Sequence, residues 1–267
     1  MSFDVEEFVH YQLSNAELRS YPFPHFYVAP AFPPDFYALL QKSLPPTEWY
    51  RPIDDTDSVT SRNSAESENS AYPERFITDL AEIEEREQRE GAGELWRGVA
   101  EWLMADRFRS AVLAKFQPGI AERFGTGSKL STSIDARLVR DFTRYAIGPH
   151  TDSEAKLVSL LFYLPANDAV SHLGTSIYAP KEPSFRCNGG AHYPFELFKK
   201  VATMPFVPNA LFGFLKTDHS FHGVDQILDG EVERNLLLYN IYVRRVTRGA
   251  EPAKPAGRRW PWSPRAK

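Results

Sequence analysis

From Leu130 onward the chain changes its hydrophobic period, and that change limits the fold more than any other feature. Ile134, Arg137, Val139, Asp141, Thr143 and Tyr145 are followed by apolar runs at 157–164, 175–178, 202–207, 211–215, 222–227 and 236–243. Pro, Gly, Asn and Asp turns separate them. Alternation of this kind marks half-buried strands. About seven or eight short strands in succession predict an antiparallel sandwich or jelly-roll barrel.

Ahead of the strands the pattern is helical. Pro33-Pro34 suits a helix start, where proline costs least. Phe36, Leu39, Leu40 and Leu44 then predict a short amphipathic helix ending before Pro45-Pro46. Residues 75–125 read as helix, with a charged run over 80–90 and a break at Gly91-Ala92-Gly93. Beyond it, Leu95, Val99, Trp102, Leu103, Phe108, Val112, Leu113 and Phe116 form an apolar stripe, a packing face for a sheet rather than a cofactor box. Helices first and strands second predict an α+β, mostly β molecule whose helices buttress one sheet.

Three regions follow: an aromatic lead-in with buttressing helices over 1–129, a strand core over 130–247, and a basic, proline-rich tail over 248–267. Together they make one structural domain. His25 lies among aromatics and reads as a packing or hydrogen-bonding residue. Residues 53–70 are nearly all polar and read as a loop, with an active-site lid as the lesser reading. Their aspartates lack EF-hand spacing. In the tail, Trp260 and Trp262 are candidates to dock back on the domain.

A net charge of -4 gives no global case for nucleic acid. The single cysteine, Cys187, excludes an intramolecular disulfide and a thiolate zinc cluster. No apolar run reaches the roughly 18 residues of a membrane helix. The acidic start, Met1-Ser-Phe-Asp-Val-Glu-Glu, does not read as a signal peptide. The expectation is a soluble, cytoplasmic protein without nucleic-acid or membrane partners.

The chemistry concentrates in residues 144–163. His150 and Asp152 are two apart, so an extended segment points both to one face. They supply two thirds of a 2-His-1-carboxylate triad, which leaves open positions on Fe(II). Taken alone, the His-Thr-Asp triplet also fits a turn in which Asp152 caps a backbone N–H. His222 begins a later strand, and Arg234, twelve residues on, opens the last long one. His219 and His222 are three apart and face opposite ways on a strand, so one alone can be a ligand, and His222 is the better candidate. By the same parity Arg234, Leu236, Leu238 and Asn240 share a face. His172 and His192 fall in loops, where either could meet a substrate.

The order His-x-Asp, distal His, then Arg on the next strand resembles the Fe(II)/2-oxoglutarate-dependent dioxygenases, most closely their prolyl-4-hydroxylase-like branch. The likeness covers roughly 138–244, and the aromatic stretch 21–44 is similar to the lead-in of bacterial members. The resemblance implies a double-stranded β-helix, a cupin-like jelly roll. It implies that His150, Asp152 and His222 hold Fe(II). It makes Arg234 the partner of the distal carboxylate of 2-oxoglutarate, which a guanidinium can grip through two parallel hydrogen bonds. Tyr163 and Tyr145 match tyrosines of that pocket, and Asn240 would line it. Where the family has a Gly-Gly step, this chain has Leu173-Gly174-Thr175.

The implied reaction is hydroxylation of an unactivated C–H bond with O₂, 2-oxoglutarate going to succinate and CO₂. A carboxylate at Asp152, where related halogenases carry a small residue, favours hydroxylation. The substrate is a small molecule or a peptide, with the small molecule preferred. Its pocket mouth would come from 53–70, 165–172 and 179–195, where Tyr178, Phe185 and Tyr193 could stack on a ligand or simply pack. Two other classes fit the residues: a cupin-like metal enzyme that does not use 2-oxoglutarate and has no need of Arg234, and an inactive barrel serving as a binding protein.

Overall fold

A computed structural model describes residues 4–53, 74–90, 94–142, 145–190, 192–227 and 233–248. Most of the polar 53–70 stretch, the lid candidate included, lies outside the described residues, as does the tail beyond Arg248 with Trp260 and Trp262.

Helices dominate the first half. Helix α1 (Val5–Asn15) was not signalled by a strong apolar stripe; Asp4 caps it, accepting from the N–H groups of Glu6 and Glu7. Helix α2 (Pro34–Lys42) starts on its proline as expected. Its buried residues are Tyr37 and Leu40, whereas Leu39 is exposed, so the apolar face is rotated from the predicted one. Four helices follow: α3 (Leu80–Glu90), α4 (Leu95–Leu103), α5 (Asp106–Lys115) and α6 (Gln117–Phe124).

The strands are β1 (His25–Val28), β2 (Arg51–Pro52), β3 (Arg75–Asp79), β4 (Lys129–Asp141), β5 (Ile147–His150), β6 (Lys156–Tyr163), β7 (Thr175–Pro180), β8 (Phe198–Met204), β9 (Ala210–Leu215), β10 (His222–Val224) and β11 (Arg234–Thr247). The helical reading of 75–79 is therefore corrected. These five residues form β3 because β4 offers them a complete antiparallel partner, Arg75 opposite Asp141 through Asp79 opposite Arg137. That partner lies some sixty residues downstream, and a strand so short carries almost no periodicity of its own. The strand expected at 202–207 is displaced to Phe198–Met204, and the one starting at His222 stops at Val224.

Two antiparallel sheets result, ordered β1-β9-β6-β11-β4-β3-β2 and β5-β10-β7-β8. Strands β4 to β11 divide between them four and four, alternating except at the β7–β8 pair, which is a double-stranded β-helix. Strands β1, β2 and β3, from the lead-in, extend the larger sheet at both edges.

Strand parity then divides the core. On the outer face of the larger sheet, Leu160, Phe162, Leu237, Tyr239 and Ile241 pack against the helices. Phe108 of α5 meets Tyr239 edge to face at 5.1 Å, so the Trp and Phe stripe does buttress the sheet. On the inner face, Val139, Leu161, Phe212, Phe214 and Leu236 meet Ile177 and Met204 of the smaller sheet. His25 belongs to this inner layer: it is buried, its Nδ1 bonds the Phe23 carbonyl at 2.8 Å, and its ring lies against Phe23 and Phe212.

Candidate metal centre

Strand β5 ends in His150 and β10 begins with His222, and the two are directly paired across the smaller sheet. Their rings lie 4.4 Å apart. Such close pairing needs a small residue beside His222. A side chain on Gly223 would place its Cβ 2.5 Å from the Ile147 carbonyl. The Leu173-Gly174-Thr175 step is explained similarly: a Cβ on Gly174 would strike the Met204 carbonyl at 1.8 Å.

Ligand atoms of His150, Asp152 and His222 all lie within 4.8 Å of one another, the one such cluster among the described residues. Cis ligands on a metal at about 2.0–2.2 Å lie about 3 Å apart, so movements of about 1 Å in each side chain would close this set on an ion. Both imidazoles are oriented. His150 Nδ1 bonds the Gly148 carbonyl at 3.0 Å, and His222 Nδ1 bonds the Ser220 carbonyl at 3.0 Å. A carbonyl only accepts, so each Nδ1 carries the proton and each Nε2 keeps its lone pair for a metal. Burial holds both imidazoles below their ordinary protonation range; for His150 the shift is large, and His222 and His192 add to it. Protons therefore compete with a metal only at acid pH. Burial pushes the Asp152 carboxyl up, but Lys156 and the two imidazoles outweigh it and hold the group ionised far below the usual carboxylate range. A neutral pair of imidazoles and one carboxylate is the donor set that suits Fe(II). Phe214 closes one side, its ring 4.4 Å from that of His222.

The triad opens on a cavity of about 180 Å³ between the sheets. Arg234, Tyr145 and Asn240 line it too, so most of the expected site residues share one space. Arg234 is wholly buried. Its Nε–H donates to the Leu173 carbonyl at 2.8 Å and its Nη1 to Asp141 Oδ2 at 2.7 Å. Asp141 also takes both arms of Arg75, at 2.6 and 2.9 Å. Two guanidinium groups thus share one carboxylate, and the trio carries one net positive charge. Tyr145 lies beneath Arg75, whose guanidinium is 4.3 Å from its ring.

Tyr163 differs from the expectation. It is buried but does not line the cavity: its hydroxyl accepts from the Thr175 N–H at 3.2 Å and its ring lies 5.8 Å from the Arg234 guanidinium. It supports Arg234 from behind. Asn240 is level with the metal ligands rather than with Arg234, since it pairs with Ser159 and Asp135, and Ser159 bonds Asp152. His219 stands apart from the triad, bonded to Asp218 at 2.8 Å. His192 comes close, its ring 5.0 Å from His150, while His172 lies elsewhere. Tyr178, Phe185 and Tyr193 pack with Phe198 and Phe221 instead of facing the cavity. Sequence reasoning missed Lys156, Ser159, Asp135 and Arg137 on the cavity wall. Strand parity with Leu161 would have found Ser159.

No family model and no curated protein matches this sequence. Solved structures do. A prolyl hydroxylase from Trichoplax adhaerens, in complex with a hypoxia inducible factor oxygen degradation domain peptide fragment, is 11% identical; the match covers 89% of this chain and 88% of that one, with a TM-score of 0.50. The chain has the fold of that prolyl hydroxylase. A prolyl-4-hydroxylase from Pseudomonas putida is 17% identical over 88% of this chain and 99% of its own, with a TM-score of 0.47. HygX from Streptomyces hygroscopicus, solved with nickel and 2-oxoglutarate bound, is 11% identical over 82% of each chain, with a TM-score of 0.40. The prolyl hydroxylase fold is thus shared at a sequence identity that carries no activity with it. Among the described residues no helix is long and apolar enough to cross a membrane.

Proposed function

We propose that this chain is a non-haem Fe(II)- and 2-oxoglutarate-dependent oxygenase that hydroxylates an unactivated C–H bond of a small organic molecule. One observation carries the reading: a buried two-histidine, one-carboxylate cluster and a buried arginine line the same cavity. When bound, Fe(II) and 2-oxoglutarate supply the activation of O₂. The chain supplies geometry. His150 and His222 present Nε2, while Ser159 holds Asp152 Oδ2 and Oδ1, which Lys156 contacts, lies 4.0 Å from His222 Nε2. Arg234, held by Asp141, would meet the distal carboxylate of 2-oxoglutarate. Phe214, Leu161, Leu238 and Ile147 make the apolar part of the wall and limit water there.

A second reading draws on the Arg234–Asp141 pair, which occupies one guanidinium nitrogen. If that pair is purely structural, the site is a metal centre that does not use 2-oxoglutarate. One experiment separates the two. Fe(II) and 2-oxoglutarate are added without oxygen to wild type, Arg234→Ala and His222→Ala, and the weak visible charge-transfer band of the chelate is followed. The band is expected in wild type and lost in both variants. Metal binding with no band, indifferent to Arg234, supports the second reading. No metal binding in wild type sinks both.

A further inference from the structure

Both oxygens of Asp152 are already held by side chains. Ser159 Oγ–H donates to Oδ2 at 2.8 Å, and the Lys156 ammonium donates to Oδ1 at 2.9 Å. Oδ1 is also the oxygen that stands 4.0 Å from His222 Nε2. A metal bridging His222 and Asp152 and the Lys156 ammonium therefore contend for one atom. A dication and an ammonium at that separation repel strongly in a site of low dielectric.

Once Oδ1 is given up, little else on the wall can receive Lys156. Asp135 is the nearby carboxylate, but Arg137 engages its Oδ1 and the Asn240 amide donates to its Oδ2 at 3.2 Å. Tyr242, its ring 5.9 Å from Nζ, is neutral and offers no counter-charge. The Lys156 side chain is 17% exposed, and a cation so enclosed needs an anion. Its place in the cavity says whose anion. The inner positions of β11 run from Arg234 through Leu238 and Asn240 to Tyr242, which pairs with Lys156. Lys156 is thus at the opposite end from Arg234, beyond the level of the metal ligands.

We propose that Lys156 is a displaceable counter-ion of Asp152, which yields Oδ1 to the metal and then binds a carboxylate of the substrate. The substrate of the reaction proposed above, on which this inference rests, is then a small acid.

Co(II), an oxygen-stable stand-in, is titrated into wild type, Lys156→Met and Lys156→Arg, with circular dichroism melts to confirm folding. Failure of wild type to bind Co(II) refutes the metal reading itself. With binding in place, Lys156→Met is expected to bind on the order of tenfold more tightly, because a repelling charge is gone, and Lys156→Arg to resemble wild type. Weaker or unchanged binding by Lys156→Met means that the lysine merely orients Asp152, and overturns the proposal. Protein loaded with Co(II) and 2-oxoglutarate is then dialysed at equilibrium against a panel of amino acids and hydroxy acids, each beside its amide. An acid retained by wild type and Lys156→Arg but not by Lys156→Met, with its amide retained by none, supports the assignment. Equal retention of acid and amide, retention by Lys156→Met, loss of 2-oxoglutarate from Lys156→Met, or no acid retained at millimolar concentration overturns it.

Discussion

Asp141 shows how much of this site rests on one side chain that touches no ligand. Its carboxylate is fully buried and is the shared partner of Arg75 and Arg234. Removing one partner of a buried ion pair costs about 3–5 kcal/mol, because the remaining charge stays uncompensated. Asp141→Asn is isosteric and leaves two guanidinium groups facing a neutral amide. We expect a loss of about 3–5 kcal/mol, which at roughly 2–4 °C per kcal/mol lowers the melting temperature by roughly 10 °C. Thermal unfolding measures this; a change below about 1 kcal/mol would show that the arginines find their counter-charge elsewhere. Arg234 itself was legible in the sequence, being twelve residues beyond His222 and first in a strand. Its pairing with Asp141 was not, because the two meet only where β11 lies against β4. Tyr163 was placed on the correct strand, yet its hydroxyl turns to the Thr175 backbone, a choice made by a neighbouring strand.

At the scale of elements, β5 and β10 do the positioning. They are short, and their direct pairing brings His150 opposite His222. Gly223 makes the approach possible, since a Cβ there would meet the Ile147 carbonyl at 2.5 Å. Gly223→Ala should force the two strands apart by roughly half an ångström or more at a cost of about 1–3 kcal/mol. The expected signature is a drop in metal affinity larger than that of a control alanine on another strand of equal stability cost; equal affinity in both would mean that the spacing of these strands does not set the centre. The long elements were the legible ones. The stripe from Leu95 to Phe116 found the sheet it was expected to face, and the runs at 157–164, 211–215 and 236–243 became β6, β9 and β11 with small changes of boundary. Some short pieces failed, β3 above all, because five residues hold too few turns of either period to choose between them.

For the whole molecule, the two sheets leave the triad and Arg234 on one cavity, so their ligands should stabilise the fold jointly. A ligand at about a hundred times its Kd adds about 2.7 kcal/mol to folding stability, which for a chain of this size is a rise of roughly 5–10 °C in melting temperature. Metal and 2-oxoglutarate together are expected to raise it beyond the sum of each alone, since a metal-chelating co-substrate binds weakly without its metal. A thermal shift series with Mn(II) checks this, and simple additivity would place the two ligands in separate sites. The sequence by itself determined what depends on neighbours along the chain. Period two set the strands and their faces, the i, i+2 spacing put His150 and Asp152 together, and parity aligned Arg234 with Asn240. The tertiary structure alone decided what depends on which strands become neighbours: β3 joining β4, Asp141 serving two arginines, and Lys156 meeting Asp152. Those contacts join residues by sheet pairing and by charge in a largely buried cavity, and neither leaves a repeating mark in the linear order of residues.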